Sequence, residues 1–257
     1  MTDQQAFAAR IEGADAPSRY VLVCEHASHT LPARWGNLGL DAAAQVAHIA
    51  WDPGALGLAR GLAARLGAAL VHAPVSRLVH DLNRAPDRPG AMPARSESYD
   101  IPGNAAITPE DRAARADAVY TPFHAGLAAL IARRIALGLQ PVLVTVHSFT
   151  PVWHGQPRAV ELGVIHDDTR PGDDRLAREV LAAAWAMTSL QSELNAPYSA
   201  ADGVTHLLRL HAVPYGLPHV MLEIRNDLIA TPEAEAAMAD LLAPVLARAL
   251  AATEGGA

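Results

Sequence analysis

Short apolar runs rich in β-branched residues alternate along the chain with longer amphipathic stretches. Five of these runs predict buried β-strands, namely Tyr20–Cys24, Leu70–Ala73, Pro141–Val146, Glu161–Ile165 and His219–Ile224. Ser76–Leu78 is a candidate start of a further strand. Unbroken apolar runs of this kind are typical of strands covered on both faces, as in a parallel or mixed sheet between two layers of helices.

Four amphipathic stretches predict helices, namely Pro53–Leu66, Thr108–Leu137, Asp173–Met187 and Thr231–Leu250. The second and the fourth begin with Thr-Pro-Glu, which is typical of an N-cap followed by proline at the first helical position. Pro122 is expected to interrupt the second helix or to start a new one. The alternation predicts a single α/β domain over residues 1–257, with a mixed, mostly parallel sheet and helices on both faces.

The segment 83–108 fits neither pattern, because four prolines and two glycines are spread along it. It is longer than the connections that usually join helices and strands. We therefore expect a functional loop here, in which residues 85–107 close over a site as a lid.

Composition narrows the chemistry of such a domain. All 20 basic residues are arginine, and Cys24 is the single cysteine. Without lysine there is no Schiff-base anchor, no pyridoxal-phosphate anchor and no Walker A motif. A single cysteine excludes an internal disulfide and a cysteine-based zinc site. Hydroxyl, carboxylate, imidazole and guanidinium groups remain, with or without a metal.

The charge and the termini bear on partners and location. A net charge of −7 without a basic cluster argues against nucleic-acid binding. The N-terminus has no apolar core of the signal-peptide type, and no run approaches the roughly 18 uninterrupted apolar residues of a membrane span. We expect a cytoplasmic protein with a reduced Cys24 and without nucleic-acid or membrane partners. The sequence leaves the oligomeric state open, a homo-oligomer included.

Polar side chains follow four of the predicted strand segments at the point where each one ends. In chain order these residues are Glu25, His26, His29, Arg77, 80–84, His147, Ser148, Glu223 and Arg225. Ligands of open α/β sheets bind beyond the carboxyl ends of the strands. The convergence of so many chemically active side chains therefore predicts a functional site at that edge.

His26 and His147 end two separate strands and are candidate zinc ligands, because neutral imidazole is a preferred protein ligand for zinc. A hydrolytic zinc keeps three protein ligands and a water. The third ligand is Glu25, His29 or Asp52. Glu25 points away from His26 on an extended strand, whereas a turn can bring His29 round and Asp52 can reach back from the start of a helix. Taken alone, His26 also fits a loop histidine with satisfied hydrogen bonds.

Glu223 lies inside an otherwise apolar strand, where an unpaired carboxylate is costly to bury. Desolvation raises the pKa of a carboxyl group, which suits a general base, whereas the plainer interpretation is an ion pair with Arg225. Arg77 is placed to polarise a carbonyl and to stabilise an oxyanion. Asn83 and Arg84 offer a fork of donors for an acidic substrate. For each arginine the alternative is a surface position or a structural salt bridge.

Five strings, in order along the chain, resemble motifs of the N-formylglutamate amidohydrolase family. They are CEHAS at 24–28, VSRLVHDLNRAP at 75–86, VTVHSFTP at 144–151, NAPYS at 195–199 and LEIRNDLI at 222–229. The resemblance covers nearly the whole chain. It implies the fold of zinc carboxypeptidases and aspartoacylases, one zinc ion per chain and an amidohydrolase of amino-acid metabolism.

The same resemblance implies roles for single residues. It implies that His26 and His147 bind zinc and that Glu223 and Arg77 are catalytic. It also implies that the substrate is bound by Asn83, Arg84, Ser148 and Arg225. The wider group opens its zinc site with His-x-x-Glu, but His29 stands where that glutamate is expected. The resemblance therefore favours Asp52 as the third ligand. His124 also resembles a family feature that lines the site, with a structural hydrogen bond as its alternative.

Together these observations predict a zinc-dependent amidohydrolase that cleaves a small N-acyl amino acid such as N-formyl-L-glutamate. Zinc activates a water, Glu223 moves the proton and Arg77 stabilises the oxyanion. The departure at His29 suggests one alternative, a metal-free homologue that binds a small carboxylate or has a regulatory role. A serine hydrolase built on Ser148 is disfavoured, because the chain has no GxSxG elbow and the adjacent His147 diverges from Ser148 on a strand.

Overall fold

The computed structural model describes residues 7–255, which pack around one central sheet. In chain order the strands are β1 (Arg10–Glu12), β2 (Tyr20–Cys24), β3 (Ala69–His72), β4 (Arg95–Ser96), β5 (Tyr99–Asp100), β6 (Val142–Phe149), β7 (Val152–Trp153), β8 (Gln156–Pro157), β9 (Leu162–Ile165), β10 (Ser192–Leu194) and β11 (His219–Arg225). The central sheet has the order β1-β3-β2-β6-β11-β9-β10, and β4–β5 and β7–β8 are small separate hairpins. Four of the six pairings in the central sheet are parallel. The predicted mixed, mostly parallel sheet is thus confirmed.

The helices fall between the strands, as the pattern predicts. They are α1 (Ala42–Val46), α2 (Ala55–Leu66), α3 (Pro102–Ala105), α4 (Pro109–Arg115), α5 (Thr121–Ala136), α6 (Arg175–Met187), α7 (His206–His211) and α8 (Pro232–Gly255). A π-helical turn at Ala116–Tyr120 joins α4 to α5. The predicted helix 108–137 is thus interrupted by this π-helical turn, and α5 begins at Thr121 with Pro122 in its first turn, as expected for this proline.

Both faces of the sheet are covered by helices, which explains the unbroken apolar runs. Leu22 and Cys24 of β2 pack with α2, α6 and α8, whereas Val21 and Val23 pack with α5 and α7 on the opposite side. Successive strand residues point to opposite faces. A strand between two helical layers therefore needs an apolar side chain at every position.

Helix α8 is long and apolar enough, by length and composition, to cross a membrane. In this fold it packs against α2 and α6. Met238, Leu242 and Leu246 are buried there, whereas Glu233 and Asp240 are exposed. One buried and one polar face is the pattern of a core helix in a globular domain.

The candidate strand at Ser76–Leu78 is a turn, so this prediction was wrong. The Ser76 hydroxyl donates to the carbonyl of Ala50 and accepts from the backbone N–H of Leu78. A serine side chain that bonds the backbone two residues on favours a turn over a strand. Arg77 lies in this turn, and its side chain lines the site.

The segment 83–108 holds a short 3-10 turn, the hairpin β4–β5 and helix α3. It is tied to the body of the domain at Asn104, whose side-chain amide donates to the carbonyls of Leu78 and Pro93 and accepts from Arg115. Ile101 is fully buried beside this anchor. The hairpin β4–β5 lies at the rim of the site, where it contributes Ser96.

Strands β2, β3, β6 and β11 are mutually parallel, so their carboxyl ends meet at one edge of the sheet. On the two central strands His147 and Glu223 are register partners. Neighbouring residues in register point to the same side of a sheet, and this pairing begins the site.

Candidate active site

A cavity of about 640 Å³ opens at the carboxyl edge of the sheet. It contains eight of the nine site residues that the sequence predicts. They are His26, Asp52, Arg77, Asn83, Arg84, His147, Ser148 and Glu223. The strand ends therefore do converge, and what each residue can do there depends on its contacts.

His26, Asp52 and His147 form a buried triad at the floor of the cavity. Asp52 Oδ2 lies 3.2 Å from His26 Nδ1 and 2.9 Å from His147 Nδ1, and the two Nδ1 atoms are 3.2 Å apart. Ligands of a tetrahedral zinc with bonds of 2.0–2.1 Å are about 3.3 Å from one another. The three atoms thus form a triangle of nearly the size that zinc requires.

The outer nitrogens of both histidines face further buried carboxylates. His26 Nε2 lies 2.8 Å from Asp81 Oδ1, and His147 Nε2 lies 3.2 Å from Glu25 Oε2. A carboxylate on the remote nitrogen fixes the orientation and tautomer of a metal-binding histidine and makes it a better ligand. Here both rings present Nδ1 to the common centre.

The charge around the triad favours a cation. Three buried carboxylates, those of Glu25, Asp52 and Asp81, contact the two histidines, whereas the single guanidinium of Arg77 pairs with Asp52 and Asp81. Burial disfavours charged imidazoles, yet these carboxylates raise the pKa of His26 and hold that of His147 well above its usual value. Geometry and charge therefore both fit a divalent metal ion at this centre.

Glu223 is the carboxylate beside the triad. It is 5% exposed, and its Oε2 atom has no hydrogen-bond partner within residues 7–255. Burial raises the pKa of Glu223 to about 7, an effect that His147 opposes. A carboxyl group with such a pKa and a free oxygen in a cavity can take up and release a proton near neutral pH.

Arg77 combines structural contacts with access to the cavity. Its guanidinium donates to Asp81 and lies 3.5 Å from Asp52 Oδ1, and 28% of the side chain is exposed. Those carboxylates outweigh burial and raise the pKa of Arg77, so it stays protonated. Arg77 thus contacts the carboxylate of the triad, Asp52, and the outer carboxylate Asp81 while lining the cavity.

Ser148 and Asn83 have most of their polar atoms engaged by the protein. The Ser148 hydroxyl donates to the carbonyl of Pro53, and its backbone N–H is 3.3 Å from Asp52 Oδ2, so Ser148 positions Asp52. The Asn83 side chain donates to the carbonyl of Val204 and accepts from the backbone N–H of Leu207. Both residues border the cavity, chiefly as supports of its wall.

Arg84 uses only Nη1 for described hydrogen bonds, to the carbonyls of Asn83 and Gly203. No carboxylate within residues 7–255 forms an ion pair with it. Part of its fork remains available to an anionic group in the cavity.

Arg225, expected to bind substrate, lies outside the lining of the cavity. Its guanidinium donates to Glu161, to Asp227 and to the carbonyl of Arg158. It follows Glu223 by two residues, but three acceptors at the end of β11 hold it there. Its contact with the backbone of Arg158 makes it a support of the cavity wall.

Three other sequence candidates are placed by the structure. His29 packs edge-on against Trp51, away from the triad, and Glu25 lies behind His147, where Asp52 has the inner position. His124 is buried, with its ring nitrogens 2.8 Å from His211 and 3.0 Å from the carbonyl of Leu82. His124 thus makes structural hydrogen bonds, which was the alternative to a position in the lining of the site.

Arg158 and Tyr198 are among the cavity residues that the sequence analysis did not identify as site residues. Tyr198 lies in one of the quoted strings, NAPYS, but no role followed from its chemistry alone. Arg158 is one of 20 arginines and gave no signal of its own.

The mixed sheet, the buried triad and the adjacent glutamate fit the class of hydrolases. The chain belongs to the N-formylglutamate amidohydrolase family, whose model matches residues 18–230. Family membership confirms the resemblance of the five strings and makes the hydrolysed bond an amide.

Three solved structures are similar to the chain, and the first two show the same fold. A gene product of Agrobacterium tumefaciens is 50% identical, with a TM-score of 0.93 and 96% of each chain covered. The N-formylglutamate amidohydrolase from Ralstonia eutropha JMP134 is 18% identical, with a TM-score of 0.65 over 97% of this chain and 99% of its own. A metallo-carboxypeptidase from Burkholderia cenocepacia is 12% identical, with a TM-score of 0.43 over 99% of this chain and 67% of its own. None of the curated proteins matches the chain.

Proposed function

We propose that this protein is a zinc-dependent amidohydrolase that cleaves the amide of a small N-acyl amino acid, with N-formyl-L-glutamate as the leading candidate. One observation carries the proposal. Three ligand atoms of His26, Asp52 and His147 converge beside the unpartnered carboxylate of Glu223, in a cavity that also presents arginines. A metal centre, a proton carrier and anion-binding groups are the parts that hydrolysis of an acidic amide needs.

The triad residues would hold the zinc ion, with Asp81 and Glu25 orienting the two histidines. When bound, zinc supplies Lewis acidity, which polarises a carbonyl and makes a nearby water more acidic. The protein's own part begins with Glu223, whose ionised carboxylate accepts a proton from the water that adds to the amide carbon. Glu223 then donates this proton to the leaving nitrogen as the carbon–nitrogen bond breaks. The products are a carboxylate, formate for an N-formyl substrate, and a free amino acid.

Two arginines serve the substrate in this proposal. Arg77 faces the cavity from beside the triad, where its guanidinium stabilises negative charge that develops on the carbonyl oxygen. Arg84, with free donors at the rim, binds the α-carboxylate, while Asn83 fixes the wall segments 203–207 against which this anion lies. The substrate is thereby held by its anionic end with its amide over the triad.

The role of Glu223 is tested by Glu223→Gln, which keeps the shape of the side chain but cannot accept the proton. We expect kcat to fall by at least about 10²-fold, with the melting temperature and the zinc content unchanged. Glu193→Gln on the exposed strand β10 is the matched control and should retain full activity. Turnover by the Glu223→Gln enzyme close to that of the control would exclude the proposed mechanism.

The substrate is tested by a panel of N-formyl, N-acetyl and N-succinyl amino acids, with and without added zinc, with free amine as the readout. We expect hydrolysis that depends on zinc and that is fastest for N-formyl-L-glutamate. Zinc content below about a tenth of an equivalent, without activation by added zinc, would favour the metal-free carboxylate-binding alternative. The proximity of Asp52 to both histidines supports the zinc-dependent proposal, in which Asp52 takes the ligand position that His29 left open.

We also propose the partner and the location of this protein. The expected partner is the small N-acyl amino acid itself, in the cytoplasm and without nucleic-acid or membrane partners. The oligomeric state of the protein is either a monomer or a homo-oligomer. Equilibrium sedimentation of the purified protein measures the oligomeric state directly.

A further inference from the structure

Arg158, directly after β8, lies in the cavity wall within a cage of aromatic rings. Its guanidinium carbon is 4.9 Å from the ring centre of Trp153, 5.1 Å from that of Tyr198 and 5.4 Å from that of Phe149. Aromatic faces attract a guanidinium and fix its plane. The cage therefore holds a cation in a defined orientation at this place.

The backbone and the side chain of Arg158 are also anchored by hydrogen bonds. Its N–H donates to the carbonyl of Pro151 at 2.8 Å, and its carbonyl accepts from Arg225 at 3.2 Å. Nη1 donates to the Tyr198 hydroxyl at 3.1 Å. These contacts fix the position of the side chain before any ligand binds, which lowers the entropic cost of binding.

The positive charge of Arg158 has no counterion within the described chain. No carboxylate of residues 7–255 forms an ion pair with it, in contrast to Arg77, which contacts Asp52 and Asp81. Asp202 also lines the cavity, but its Oδ2 atom accepts from the backbone and hydroxyl of Ser199. A guanidinium has five N–H donors, and a single one of them has a described acceptor here. The remaining fork suits the planar, bidentate geometry of a carboxylate.

The cavity thus holds two separate guanidinium groups that lack a carboxylate partner, Arg84 beside the 203–204 segment and Arg158 in its cage. A substrate that satisfies both carries two anionic groups.

We propose that Arg158 is a specificity-determining residue, which binds the side-chain carboxylate of the substrate while Arg84 binds its α-carboxylate. This inference rests on the proposed function, because it assigns the recognition of an acidic N-acyl amino acid to that same site. Arg225 is then a positioning residue, which acts through the backbone of Arg158.

The test compares two N-formyl amino acids of nearly equal shape, N-formyl-L-glutamate and N-formyl-L-glutamine, with the wild type and Arg158→Gln. The wild type should prefer the acid, and Arg158→Gln should lower kcat/KM for the acid about 10- to 100-fold. The ratio of the two kcat/KM values should fall towards one. Arg178→Gln, on the exposed face of α6, is the matched control and should keep the wild-type ratio.

Arg158→Lys separates charge from geometry and guards against a merely structural effect. Lysine keeps the charge but loses the planar fork, so it should restore part of the preference for the acid. An Arg158 that only packs the hairpin β7–β8 would instead give equal losses for both substrates and the same ratio in all variants. That result would overturn the inference.

A binding measurement keeps this inference distinct from the proposed function. Calorimetric titration of the zinc-loaded Glu223→Gln protein with both compounds, with and without Arg158→Gln, reports recognition without turnover. If binding of the acid is preferred and this preference is lost in Arg158→Gln, the inference is supported, even if the wild type hydrolyses neither compound. The absence of hydrolysis would in that case reject only the proposed function. Hydrolysis with an unchanged preference would reject the inference alone, and neither hydrolysis nor an acid preference in binding would reject both.

Discussion

At the scale of single residues, two carboxylates outside the cavity lining contact the histidines of the triad. Asp81 and Glu25 lie on the outer nitrogens of His26 and His147, which leaves both Nδ1 atoms directed at Asp52. Asp81 also accepts from Arg77 and from the backbone N–H of Asn83, so one carboxylate orients a histidine, an arginine and the loop. Burial opposes its ionisation, but Arg77 and His26 hold the pKa of Asp81 well below its usual value.

Removing the charge of either outer carboxylate should weaken zinc binding. Asp81→Asn and Glu25→Gln keep the side-chain shape but no longer polarise the histidine, so we expect zinc affinity to fall about 10- to 100-fold in each. Competition with a chromogenic chelator measures this affinity. Asp240→Asn, at an exposed ion pair with Arg65, is the control. Wild-type zinc affinity in both Asp81→Asn and Glu25→Gln would show that these carboxylates do not tune the ligands.

The residues of the site differ in how clearly the sequence identifies them. His26, His147 and Glu223 were identifiable because each is a polar group at the end of an apolar run or within one. Asp52, Glu25 and His29 could not be ranked as ligands from the residues alone, since the choice depends on which chain segments fold back onto His26. The backbone N–H of Asp52 donates to the carbonyl of His26, and this bond places Asp52 in the site.

At the scale of elements, the loop that carries Tyr198 is packed onto the sheet through a glycine. Gly163 in β9 pairs with Glu223 in β11. A Cβ atom on Gly163 would lie 2.0 Å from the carbonyl oxygen of Ala196 and 3.1 Å from the Cβ atom of Glu223. The close approach of two backbone segments therefore requires glycine here. It brings the 195–199 segment, with Tyr198, beside β11, which carries Glu223.

Gly163→Ala should displace this loop. We expect the free energy of unfolding to drop by about 1–3 kcal/mol, and kcat/KM to fall because Tyr198 and Glu223 shift. Gly126→Ala in α5 is the matched control, since its Cβ atom would make an ordinary contact of 3.4 Å with Ala9. That change should leave stability equal or raise it by up to about 1 kcal/mol. Urea unfolding and steady-state kinetics measure both effects, and equal behaviour of the two variants would refute this account of Gly163.

At the scale of the whole molecule, the site joins segments that are distant in sequence. The triad connects the end of β2, the start of α2 and the end of β6, so a metal ion there would bind the folded chain and not the unfolded one. Such binding stabilises the fold by mass action.

Zinc should therefore raise the melting temperature. At a free concentration of 100 times its dissociation constant it would add about 2.7 kcal/mol, or a shift of about 5–10 °C for a chain of this size. Asp52→Asn should remove most of the shift, whereas Glu223→Gln should keep it. Differential scanning calorimetry of stripped and zinc-loaded protein provides the measurement. A melting temperature that is independent of zinc would contradict the proposed centre.

The sequence by itself determined the fold class and the edge at which the site lies. Unbroken apolar runs and amphipathic stretches at period 3.6 are local signals, and each apolar face must be buried whatever the partner is. For the same reason the five strong strand predictions hold, whereas β1 and β10, short strands at the edges of the sheet, carry too few apolar positions to be recognised.

The tertiary structure alone decided which side chains share the site and in what role. In the folded chain Asp52 lies in the triad, whereas Glu25 and His29 do not. Arg225 lies outside the lining of the cavity, and Arg158 belongs to it. These outcomes depend on contacts between residues far apart in the chain, such as the carbonyl of Arg158 with Arg225 and the Tyr198 hydroxyl with Arg158. A guanidinium has the same local sequence signal whether it is paired or free, and only its neighbours in space determine whether its charge remains available to a substrate.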